Sequence, residues 1–127
     1  MINYVILVFA GGALGAMLRE FIMLIVPSPA DHFPLDILAA NLMAAFLLGL
    51  AVALNRRKVL SDDVNMLVGT GIMGGLSTFS SFAYAAVVLI SASRASAVVE
   101  AVYVVTSLVL GYIAVIAGLA LGRQRSE

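Results

Sequence analysis

The chain has 127 residues, of which 63% are hydrophobic and 11% charged, with seven basic and seven acidic side chains and no net charge. A soluble domain is nearer half apolar and a quarter charged, so the apolar surplus must face lipid or other subunits. Balanced charge removes the electrostatic basis for nucleic-acid binding, and the lack of cysteine excludes disulfide and thiolate chemistry. No nucleophile–base pair or metal-ligand cluster argues for an enzyme, and the single histidine, His32, has no ligand partners near it in sequence.

A helix crossing the hydrocarbon layer needs about 20 mostly apolar residues, and four stretches qualify. The first, 2–26, has no basic residue before its apolar run, as a cleaved signal would, and is expected to be a permanent helix that stops at Pro27-Ser28-Pro29. The second, 34–54, ends in Asn55-Arg56-Arg57-Lys58. The third, 64–90, opens after Ser61-Asp62-Asp63, a good capping cluster. The fourth, 95–121, ends in Gly122-Arg123-Gln124-Arg125. Short connections predict that sequential helices are antiparallel neighbours in one domain, 1–127. Placing the N-terminus inside puts Arg56, Arg57, Lys58, Arg123 and Arg125 inside, against Arg19 and Arg94 outside, a modest bias toward N-in and C-in.

Polar groups inside a membrane span are costly, so each calls for a reason. In helix one, Gly11 and Gly15 have the spacing that lets helix backbones approach. Arg19, between Met17-Leu18 and Phe21-Ile22, either snorkels to the interface beside Glu20 or sets a fixed positive charge at the mouth of an anion path. Asn41 in helix two either bonds a neighbouring helix or offers its amide to an ion. The stretch Gly69-Thr70-Gly71-Ile72-Met73-Gly74-Gly75-Leu76-Ser77-Thr78-Phe79-Ser80-Ser81-Phe82 puts four glycines and five hydroxyls mid-span. It predicts a helix that breaks near the membrane centre, where irregular backbone is tolerated only within protein or along a polar cavity, and where freed carbonyls can ligate a cation. Phe79 and Phe82 share one helix face, and their ring edges carry partial positive charge. Tyr103, Thr106 and Ser107 share a face of helix four, and all can donate O–H bonds, although Thr and Ser can also bond their own helix carbonyls. The inventory is rich in donors, Ser80 and Ser81 among them, and has no central pair of carboxylates, which suits an anion path better than a cation or proton path.

Gly11-Gly12-Ala13-Leu14-Gly15-Ala16 with Arg19, Asn41 through Gly49, and above all the run Gly71 to Phe82 resemble the Fluc/CrcB family of bacterial fluoride channels, and the resemblance extends over the whole chain. It implies an all-α membrane protein of four transmembrane helices that passively exports toxic fluoride across the bacterial inner (plasma) membrane. It further implies an antiparallel dual-topology homodimer with two pores. By that resemblance Phe79 and Phe82 line the fluoride pathway, Asn41 is the pore asparagine, and Tyr103 and Ser107 lie on the polar track of helix four. The resemblance also implies that the backbone carbonyls of Gly74 and Ser77 match the positions that hold a central sodium ion (Na+) at the dimer interface, and that Arg19 matches the family's helix-one arginine. Glu20, Ala44-Ala45 and Ala85 depart from the family pattern, where an aromatic, a Gly-Ser-like pair and a glutamate are usual. A proton-coupled small multidrug exporter is the rival of similar size, but it relies on an embedded central acid, whereas Glu20 and Glu100 lie near helix ends. A non-transporting assembly factor would leave the glycine–hydroxyl stretch without a reason.

Overall fold

A computed structural model describes residues 2–27, 33–92 and 94–123. The Ser28-Pro29 stop, His32 and Arg125 lie outside the described residues. Every regular element among them is helical: α1 (Ile2–Ile25), α2 (Leu35–Arg56), α3 (Asp62–Asn65), a π-helical stretch (Met66–Ile72), α4 (Met73–Leu76), α5 (Phe79–Ala92) and α6 (Arg94–Arg123). Four of the resulting spans are long and apolar enough to cross a membrane: Asn3–Ile25, Leu35–Arg56, Asp62–Val88 and Val98–Arg123. Their outer faces carry large apolar side chains, with Phe9 80% exposed and Leu24 84%. Side chains so bare are stable only against lipid or another subunit.

The third span is the irregular one. Ser61 caps α3, its hydroxyl accepting the Val64 N–H at 3.3 Å. The backbone then widens into π turns over Met66–Ile72, returns to α geometry for four residues, and stops. Ser77 adopts extended backbone (φ −74°, ψ 149°), and the helix resumes at Phe79.

Close packing does not follow chain order. The expected side-by-side packing of sequential helices is only partly realised: α1 packs chiefly on the π stretch and α4, and α2 on α6. The cause is a pair of glycine seams. A Cβ on Gly15 would run into the Ile72 carbonyl, and one on Gly75 into the Gly12 carbonyl, so α1 and the third span touch backbone to backbone. A Cβ on Gly118 would strike the Phe46 carbonyl, and one on Gly49 the Val115 carbonyl, which joins α2 to α6 in the same way. Small residues at such crossings replace hydrophobic driving force with close van der Waals contact. Contact positions advance together along both partners, so the helices of each seam run parallel. A small core of Ile22, Ala40, Ala44, Met73 and Leu76 ties α1, α2 and α4 together.

The α2–α3 connection is a six-residue C-terminal motif. The Lys58 N–H bonds to the Asn55 carbonyl at 2.8 Å and the Val59 N–H to the Leu54 carbonyl at 3.0 Å. Lys58 stands at φ 59°, the left-handed position that glycine usually fills. The Asn55 amide closes the turn by donating to the Leu60 carbonyl and to Asp62.

Candidate functional site

The interruption at Ser77-Thr78 is held by side chains. The Thr78 N–H, which an unbroken helix would give to the Gly74 carbonyl, is donated to Asn41 Oδ1 at 2.8 Å. Asn41 Nδ2 faces the Thr78 carbonyl at a long 3.5 Å. The Thr78 hydroxyl accepts the Ser81 N–H at 3.1 Å, the geometry of an N-cap on α5, and donates to Ser81 Oγ at 2.9 Å. Ser80 Oγ lies 3.4 Å from the same hydroxyl. Thr78 is thus a buried hub, although its sequence position suggested only one hydroxyl among several.

On the α1 side, Arg19 donates to the Gly75 carbonyl at 3.5 Å, across the interruption from that carbonyl's natural donor, Phe79. It also pairs with Glu20 at 3.3 Å. A guanidinium at the open end of α4 suits the partial negative charge that gathers there.

Beside the interruption lies a cleft of about 460 Å³. Asn41, Phe79, Phe82 and Ser107 line it, together with Gly74 and Ser77. Thr78 also borders it, and the remaining wall is apolar, with Ala44 and Ala45 among its residues. Because the Thr78 N–H fixes Oδ1 of Asn41, the amide NH2 is fixed too, and one of its N–H bonds is left for the cleft. The Ser107 hydroxyl is buried without a hydrogen-bond partner. Phe79 and Phe82 have ring centroids 6.0 Å apart, tilted by 33°. Phe79 is 81% exposed, so one ring of the pair stands open on the single chain.

The other sequence candidates fall into different surroundings. Tyr103 is fully buried behind Phe82, with centroids 5.3 Å apart, and its hydroxyl lacks a partner. Ser80 and Ser81 are engaged by Thr78. Thr106 lines a separate groove with Val98, Val102 and Val105, away from Ser107. Arg19 contacts α4 rather than the cleft.

Two residues of this region gave no signal in the sequence. Phe33 packs edge-on against Tyr103 at 5.2 Å and 87°, extending the aromatic row from Phe79 through Phe82 and Tyr103. Asp36, in the first turn of α2, has a buried carboxylate oxygen with no hydrogen-bond partner. In sequence Phe33 is one aromatic before a proline, and Asp36 is an ordinary first-turn acid. Only the fold brings both toward Tyr103.

The family described as CrcB-like protein, Camphor Resistance (CrcB), matches residues 6–119. The chain is 56% identical over 127 residues to the fluoride-specific ion channel FluC 1 of Brucella abortus biovar 1, covering all of this chain and 47% of that protein. It therefore spans about half the length of that relative. It is 53% identical over 122 residues to the fluoride-specific ion channel FluC 3 of Yersinia pseudotuberculosis serotype I, covering 96% of this chain and 90% of that protein. To the fluoride-specific ion channel FluC of Agrobacterium fabrum it is 40% identical over 126 residues, 98% of each. With a family match over most of its length and relatives of its own size alike nearly from end to end, this four-span membrane protein belongs to the CrcB-like family.

Proposed function

We propose that the chain forms a passive, fluoride-selective channel that lets fluoride leave the bacterial cytoplasm across the inner membrane, and that it works as an antiparallel dual-topology homodimer with two pores. The observation that carries this reading is the cleft that gathers the Asn41 amide, the Ser107 hydroxyl and the Phe79–Phe82 rings beside the interrupted third span. The names of the relatives support it.

The physical logic is replacement of water. Fluoride is small and gives up hydration only to strong donors. Asn41 and Ser107 each have an N–H or O–H to give, and their surroundings are apolar, where a hydrogen bond is electrostatically stronger than in water. Ring edges add weak positive potential along the way. Weak sites in series let an ion enter and also leave. Chloride is larger and accepts weaker hydrogen bonds, so it gains less from the same donors. Phe79, bare on the single chain, is completed in this proposal by the second copy.

A sodium ion at the dimer interface is part of the proposal, and the backbone fits it. The Gly74 carbonyl has lost its helical donor, the Thr78 N–H, to Asn41. The Ser77 carbonyl has lost its own, the Ser81 N–H, to the Thr78 hydroxyl. Both residues are exposed, and a Cβ on Gly74 would meet nothing. These carbonyls, with the same two from a second copy, would hold the ion. Sodium, when bound, supplies a fixed positive charge and ties the copies together.

The decisive experiment loads liposomes with potassium fluoride and potassium chloride, reconstitutes the purified protein, and reads both ions with selective electrodes. Fluoride efflux without chloride efflux is expected. Efflux of both ions, or of neither, overturns the reading.

A further inference from the structure

We infer that the end of the molecule where α2 and α6 terminate is a binding site for an acidic phospholipid. Because the two helices run parallel, their C-termini meet on one side, and Arg57 Nη1 donates to the Gly122 carbonyl at 2.7 Å. Arg56, Lys58 and Arg123 stand exposed around that contact. Directly beneath it, Leu50 and Leu54 of α2 and Leu121 and Gly122 of α6 line an apolar groove of about 260 Å³. A cationic rim above an apolar slot has the two halves of a phospholipid recognition site: charge for a phosphate headgroup, and a slot for the first part of an acyl chain.

Among the described residues, the acids of this turn are engaged elsewhere. Asp62 accepts the Asn55 amide at 3.0 Å inside the turn, and Asp63 faces α1, sharing a pocket with Asn3, Ile6 and Leu7. The backbone adds an independent sign. Lys58 holds a left-handed conformation (φ 59°) that costs a non-glycine residue energy, in a motif where glycine would serve the turn better. Strain kept at an exposed lysine points to a use for its charge. Topology signalling alone asks for basic residues on this side of the membrane, but it asks for neither the groove nor a lysine at that one position.

The test uses the purified full chain and dioleoylphosphatidylglycerol, with dioleoylphosphatidylcholine as the neutral control. Native mass spectrometry reads retained lipid, and thermal unfolding reads the stabilisation that the lipid gives. Wild type should retain the glycerol lipid in preference and unfold at a higher temperature when it is added. Lys58→Gly should unfold later than wild type in the neutral lipid, because strain is relieved, yet bind the acidic lipid about fivefold more weakly, which is roughly what one basic residue contributes at an anionic surface. Opposite signs from one substitution separate headgroup binding from turn stability. Leu121→Trp, which fills the groove from its half-exposed lip and leaves every charge in place, should also remove the preference. Equal retention of both lipids by wild type overturns the proposal, as does an undiminished preference in either variant.

Discussion

The Asn41 side chain joins α2 to the interrupted third span through the Thr78 N–H, and this bond determines what its substitutions report. Asn41→Leu removes the acceptor and strands a buried backbone donor, at a cost of about 1–3 kcal/mol. It should lower thermal stability as well as flux. Asn41→Asp keeps an acceptor for the same N–H and adds a negative charge facing the cleft. It should therefore fold nearly as well as wild type and still conduct poorly, which circular dichroism and electrode-read efflux measure side by side. If Asn41→Asp conducts normally, the amide is only a structural tie. Phe82→Ile keeps apolar volume but removes the ring edge and the ring that Tyr103 packs on. Efflux should fall about tenfold or more, equivalent to ~1.4 kcal/mol of added barrier, with the elution volume of the protein unchanged. Asp36→Asn addresses the rival exporter chemistry directly. Proton-coupled export needs an embedded acid, and Asp36 has a buried carboxylate oxygen without a partner. A fluoride channel should go on conducting after that substitution, whereas an exporter would stop. Among single residues, the sequence made Asn41, Phe79, Phe82 and Ser107 visible as polar or aromatic interruptions of apolar runs. It hid Thr78 as the hub and Phe33 and Asp36 as neighbours of Tyr103, because those depend on which helices meet rather than on local spacing.

At the scale of elements, the four spans were legible to within a few residues, since apolar length alone decides whether a helix can cross a bilayer. The glycines and hydroxyls of 69–82 are the sequence signal in the third span, and within that stretch the helix ladder stops at Ser77-Thr78, where Asn41 and the Thr78 hydroxyl supply what it gives up. The π turns over Met66–Ile72 had no such signal: a widened turn depends on small differences in backbone packing, here against α1. Pairing was the part that sequence order misdirected. Short loops favour neighbours in the chain, but glycines on both sides of each crossing, Gly11, Gly15 and Gly75 at one and Gly49 and Gly118 at the other, paired α1 with the third span and α2 with the fourth, because backbone contact wins where lipid offers no hydrophobic drive. Gly118→Val tests that seam. Its Cβ would meet the Phe46 carbonyl, so α2 and α6 must separate, and overpacking of this kind costs about 1–3 kcal/mol. The thermal midpoint in detergent should drop well below that of Gly111→Val on the same helix, where a Cβ would meet nothing. Equal midpoints would mean that the seam contributes little.

At the scale of the whole molecule, the question is how a chain with one bundle of four spans makes a complete pathway. Its own cleft is open on one side, with Phe79 largely bare and the Gly74 and Ser77 carbonyls deprived of their helical donors at the surface. A second copy related by a two-fold axis in the membrane plane would bring the same features to face these. That arrangement requires both orientations in one membrane. The charges lean the other way: Arg56, Arg57 and Lys58 lie at the end where α6 reaches Arg123, and basic residues on one side favour keeping that side in the cytoplasm. Dual insertion must then survive a modest bias, and the chain's lack of cysteine makes this measurable. A single cysteine placed at exposed Val59, labelled in intact cells with a membrane-impermeant maleimide, should react in a substantial fraction of molecules, and the remainder should react only after permeabilisation. Complete protection in intact cells would fix one orientation, and with it rule out the antiparallel pair while leaving the four-span fold untouched. Substituting Arg56 and Lys58 with glutamine should shift the labelled fraction upward, because it removes charge from the favoured side alone.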